Sequence, residues 1–122
     1  WLRRLGPVRM IGLGAAGALV RWLLMPWVAD PLLLAPLQCL HGLSFGATHL
    51  GAMHFIARQI APALSGRAQS LYAAIGGGVM IGLATIASGW LYARFDGWGF
   101  LAMAALAAAG ALASLRLGRA GR

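Results

Sequence analysis

Two features of this sequence carry chemistry against an apolar background. The first is Arg21, the one charge in the stretch 10–29. A cation at mid-depth in a bilayer costs at least about 2.5–3.5 kcal/mol. Arg21 therefore needs a carboxylate, a water-filled cavity or an anionic solute. The second is the run LQCLHGLSFGATHLGAMHF. At about 100° per residue, Gln38, His41, Ser44, Thr48 and His49 fall within an arc of roughly 140° of one helix, and His54 points away from it. Such an arc serves either as helix–helix hydrogen bonding or as the wall of a polar cavity, with His41 as ligand or proton contact. Pro36, five residues before His41, loosens the local backbone ladder. His49 and His54 diverge, so no metal site is expected, and no cofactor either.

The elements that must position these residues are set by composition. The chain has 122 residues, 61% of them hydrophobic, and a mean hydropathy of +0.79. Its twelve charges are ten Arg and two Asp, Asp30 and Asp96, with no Lys and no Glu. A soluble domain carries about 25% charged residues, so that class is excluded, and so is a disordered chain. The net charge of +8 does not mark a nucleic-acid partner, because the arginines lie singly or in threes between uncharged stretches instead of clustering on a face. Cys39 is the only cysteine, so there is neither a disulfide framework nor zinc spacing. No nucleophile–base pair stands outside the apolar stretches, so an enzyme is not expected.

Crossing a bilayer takes about 20 apolar residues in a helix. The sequence predicts an all-α integral membrane protein with four transmembrane helices at approximately 8–28, 31–57, 68–93 and 97–115, all within one domain unit, 1–122. The bias of Arg in the connections sets orientation. With the N-terminal end inside, Arg3, Arg4, Arg9, Arg58, Arg67, Arg116, Arg119 and Arg122 collect on the inner side, against Arg94 alone outside. Both ends are then cytoplasmic. Trp90, Tyr92 and Trp98 sit at the outer boundary as interfacial anchors. In the third span, Ala74, Gly78 and Gly82 form a small-residue stripe for close helix packing, and the GGG run 76–78 adds flexibility. That run lacks the Lys-Ser/Thr of a phosphate loop. The fourth span has no polar side chain before Ser114. The opening WLRRLGPVRM has no signal-peptide pattern and reads as a loop between helices, so a piece of a longer chain is expected.

Four blocks, the RW pair at 21–22, LQCLHGLSFGATHLGAMHFI, RAQSLY and SGWLYARFDG, taken in order, resemble the C-terminal end of a major facilitator superfamily transporter. The likeness is to the branch that holds the phenylpropionate permease and the oligosaccharide–proton symporters, and it runs over nearly the whole chain. It implies that the four spans are helices nine to twelve of a twelve-helix fold. It also implies secondary active transport of a small organic solute by alternating access, with proton coupling, in a bacterial inner membrane. By position, Arg21 falls on the arginine of the ninth helix, and His41 on the tenth-helix histidine that links recognition to proton movement. Ser44 stands where the sugar symporters have a proton-carrying glutamate, and Gln38 where they have a lysine. These departures favour the phenylpropionate-like side, hence an aromatic or other small carboxylate. The expected partners are that solute, protons, the lipid bilayer and the preceding part of the same chain, with no nucleic acid.

Two rival readings fit the bare length. A small multidrug exporter has about this many spans but depends on a membrane glutamate, which this chain lacks. A membrane assembly or structural subunit would explain the Gly and Ala stripes but not Arg21 or the arc around His41.

Overall fold

The computed structural model describes residues 6–120, with side chains as far as Gly118, and every regular element within it is helical. Arg3, Arg4 and Arg122 of the expected inner cluster lie outside the described residues, as does the side chain of Arg119. Three helices open on proline: α1 (Pro7–Leu24), α2 (Pro31–Gln59) and α3 (Pro62–Tyr72). Proline suits that first position because its fixed φ is already helical and its missing N–H would have found no partner there. At α2 the start is reinforced by Asp30, whose Oδ1 accepts from the Leu32 N–H at 2.8 Å. Pro26, in the 3-10 turn Met25–Trp27, stops α1. Pro62 has a second effect, turning the preceding Ala61 to extended backbone. Only Ile60 and Ala61 separate α2 from α3, so Arg67, expected to bound the third span, stands inside α3.

From Pro62 the helix runs on through Ala73–Met80, which is wound as π-helix, into α4 (Ile81–Phe95). π-Winding is rare and mostly confined to single turns. Here it coincides with Gly76, Gly77 and Gly78, which offer no side chains to favour the tighter α winding. The run breaks at Asp96, the one non-glycine residue with positive φ (51°) among those described. Asp tolerates that region better than most side chains. A 3-10 turn (Asp96–Gly99) follows, then α5 (Phe100–Ala120). Gly99 comes so close to Leu91 that an added Cβ would sit 3.2 Å from its backbone carbonyl carbon.

Helix α1 lies between α2 and α5 and runs antiparallel to both. Its start meets Gly51 of α2 through Pro7 and Ile11, and Gly118 of α5 through Val8. At its far end Trp27 packs edge-on against Trp98, centroids 5.0 Å apart. One consequence concerns charge: this packing gathers Arg9, Arg58 and Arg116 at one end and leaves Asp30, Arg94 and Asp96 at the other.

Two stretches, Pro7–Trp27 and Pro62–Gly118, are long and apolar enough to cross a membrane. The second has 57 residues, which at 1.5 Å per residue exceeds a bilayer core of about 30 Å well over twofold. Helix α2 is long enough, at 29 residues, but its polar side chains keep it less apolar than these two. The expected third and fourth spans both fall within the 57-residue stretch, on either side of the break at Asp96. Large apolar side chains face outward along the molecule, with Leu32 82% and Ile86 74% exposed. A surface of that kind marks an environment other than water, and the molecule is a membrane protein.

Candidate functional site

The stripe Met10, Gly14, Gly17 and Arg21 recurs every three or four residues, which puts all four on one face of α1. That face meets α2. A Cβ on Gly14 would collide with the Thr48 hydroxyl and stand 2.6 Å from the Ser44 carbonyl oxygen and 2.9 Å from the Thr48 nitrogen. A Cβ on Gly17 would lie 3.3 Å from Ser44 Cβ. The two backbones are therefore in near contact here, and Ser44 is buried. Its hydroxyl donates to the His41 carbonyl at 3.1 Å, and that of Thr48 to the Ser44 carbonyl at 2.9 Å. Back-bonding of this kind satisfies both hydroxyls within α2.

Arg21 is one turn beyond Gly17 along this face. The antiparallel register, with Gly51 beside Ile11, Thr48 beside Gly14 and Leu40 beside Gly17, carries it toward the start of α2. Arg21 is only 5% exposed, and among the described residues its Nε has no hydrogen-bond partner. Its guanidinium carbon lies 3.8 Å from the centroid of the Trp22 ring. Trp22 in turn stacks on Phe100 of α5, centroids 5.7 Å apart and planes at 24°, and Phe100 contacts Tyr92 of α4 at 6.2 Å. Asp30 and Asp96 belong to the same end of the molecule as Arg21, but both are exposed and neither is paired with it among the described residues. A guanidinium is always charged and presents five N–H donors in a planar fork suited to a carboxylate. Arg21 is thus a buried cation, held against a ring, with hydrogen-bonding capacity to spare.

The polar arc of α2 divides in two. Ser44 and Thr48 take the edge against α1, while Gln38, His41 and His49 are exposed on the other edge. There the rings of His41, Phe45, His49 and Tyr72 form a column with successive centroid distances of 6.2, 6.0 and 5.9 Å, crossing from α2 to α3. His54 is exposed. The small-residue stripe Ala74, Gly78 and Gly82 faces open space, with nothing within 4 Å of a Cβ added at either glycine. Close packing among the described residues is instead made by Gly14, Gly17 and Gly51. The spacing 10, 14, 17 and 21 in α1 was the signal that could have identified this face. An apolar cleft of about 270 Å³ between α1, α4 and α5 is lined by Trp22, Tyr92, Phe100 and Met103. Two hydroxyls in its wall, those of Thr85 and Ser88, are turned back on the Ile81 and Thr85 carbonyls.

Compared with known proteins, the chain matches the model described as the MFS_1 like family over residues 1–102 of its 122. No curated protein and no solved structure matches it.

Proposed function

The chain belongs to the MFS_1 like family, of the major facilitator transporter type, and from that membership we propose that it supplies helices nine to twelve of a twelve-helix carrier. The carrier moves a small organic anion, an aromatic or other small carboxylate, across the bacterial inner membrane by alternating access coupled to protons. The observation that carries this reading is Arg21, buried and cationic with, among the described residues, an unpartnered Nε and no carboxylate paired with it. A charge held in that state is costly as architecture and useful as a receptor. Two halves rocking about a central site would bring Arg21 and the exposed edge of α2, Gln38, His41 and His49, to face the solute. His41 and His49, whose imidazoles can take up and release a proton, are the candidates in this segment for the proton path. Ser44 and Thr48 serve the same site by seating α2 against α1. The open stripe Ala74, Gly78 and Gly82 receives helices from the rest of the carrier.

The four spans of this reading are α1, α2, the run Pro62–Phe95 and α5, with Arg9, Arg58, Arg67 and Arg116 cytoplasmic under the positive-inside rule. Alkaline phosphatase fused to the carrier after Gly97 is expected to be active, and after Ala61 inactive. The opposite pattern would invert the assigned orientation, and activity at both positions would remove a span. The solute class is tested by uptake of labelled 3-phenylpropionate into proteoliposomes that contain the whole carrier. Uptake should be competed by benzoate, ignore lactose, and collapse when an uncoupler dissipates the proton gradient. Uptake of the sugar in place of the carboxylate would overturn the solute assignment.

A further inference from the structure

We propose that Trp22 is the positioning residue for Arg21: its ring holds the guanidinium in place by a cation–π contact and leaves the hydrogen-bonding fork unspent for an anion. The proposal rests on reading Arg21 as the counter-charge of the solute. Three observations support it. The guanidinium carbon is 3.8 Å from the Trp22 centroid, well inside the range of about 6 Å within which such contacts act. Arg21 is 5% exposed with its Nε unpartnered, so the ring, not a carboxylate or carbonyl, is the group the structure sets against this cation. Trp22 is itself fixed, stacked at 5.7 Å on Phe100 at the start of α5, which Tyr92 of α4 contacts from the neighbouring helix.

The choice of partner matters chemically. A carboxylate would neutralise Arg21 and occupy its fork bidentately, and a carbonyl would use individual N–H groups. A π face attracts the cation through its quadrupole and consumes no donor. It also confines a long side chain that would otherwise have several rotamers to sample. An arginine held in this way is charged, immobile and still able to make a two-point contact with a planar anion. Because Phe100 lies directly after the turn at Asp96–Gly99, a shift of α5 against α1 would move the ring and the cation together.

The test uses the whole carrier, with fluorinated tryptophans placed at position 22 by codon suppression. Successive fluorines weaken the ring's quadrupole with little change of shape, so a role limited to packing would not respond. The readout is the rate of phenylglyoxal adduct formation on Arg21, followed by mass spectrometry. This rate is expected to rise stepwise, by about tenfold from tryptophan to the most fluorinated ring, as the guanidinium is released. Trp22→Phe, which keeps a ring, should fall within the series, and Trp22→Leu should lie at or beyond its end. A rate independent of fluorination would overturn the proposal. Repeating the series with 3-phenylpropionate separates this inference from the reading beneath it. Protection of Arg21 by the carboxylate supports both. A fluorination trend without protection upholds the Trp22 anchor and removes the carboxylate.

Discussion

Replacing Arg21 by methionine is expected to abolish uptake of a carboxylate and at the same time leave the carrier as stable as before, or more so. The two effects have separate origins. For transport, truncating one partner of a buried, hydrogen-bonded charge pair costs about 2–5 kcal/mol. At 1.4 kcal/mol per decade, the solute's apparent affinity should fall by about thirtyfold to several thousandfold. For stability, an arginine at the centre of a membrane span costs about 2.5–3.5 kcal/mol and less toward the last turn, where Arg21 stands, and a desolvated cation–π contact returns about 2 kcal/mol. With Nε unpartnered, the balance lies between near zero and unfavourable by about 1 kcal/mol, and an apolar side chain of similar length removes that cost. A thermal melt of the purified carrier alongside the uptake assay distinguishes the possibilities. A structural arginine paired to a carboxylate on another helix would behave oppositely, because its loss would strand a buried negative charge and lower the melting temperature. Unchanged uptake with Arg21→Met or Arg21→Ala would remove Arg21 from the solute site altogether.

Arg21 was legible in the sequence because a charge within an apolar stretch violates the composition around it, and that violation does not depend on how the neighbours are arranged. Trp22 was not legible as its partner. Adjacent residues point about 100° apart on a helix, and only the long arginine side chain, bending back over the ring, brings them together. The polar arc of α2 was visible as an arc, but its division was not. Which edge meets a neighbour depends on where α1 lies, and that is fixed by Gly14 and Gly17 of α1 together with Gly51 of α2, not by the polar residues of the arc. In the third segment, Gly76, Gly77 and Gly78 signalled looseness, and the rewinding to a π-helix is the form that looseness took. Its extent could not be read, because without side chains little distinguishes one winding from the other. The start of that segment could have been read. Arg67 was expected to bound it, but Pro62 is the stronger signal, since it both seeds a helix and forces the residue before it out of one.

The crossing of α1 and α2 is what holds Arg21 opposite the start of α2, and Gly14→Ala is expected to break it. The added Cβ would meet three atoms, the Thr48 hydroxyl, the Ser44 carbonyl oxygen and the Thr48 nitrogen. Two of these are backbone, so no rotamer change can relieve the clash, and the helices must move apart. Overpacking a tight core costs about 1–3 kcal/mol and occasionally more, and the rigid backbone on both sides puts this site at the upper end. Separation would also leave α2 unsupported where its own Ser44 and Thr48 hydroxyls have already been turned inward. Gly46→Ala provides the control within the same helix pair. Its Cβ has nothing within 4 Å, and alanine exceeds glycine in helix propensity by about 1 kcal/mol, so this variant should melt at or above the parent temperature. Thr48→Ala, combined with Gly14→Ala, should rescue only in part, because it removes the hydroxyl and leaves both backbone atoms in place. If Gly14→Ala and Gly46→Ala melted alike, α1 and α2 would not meet through Gly14, and the placement of Arg21 that depends on that contact would fall with it.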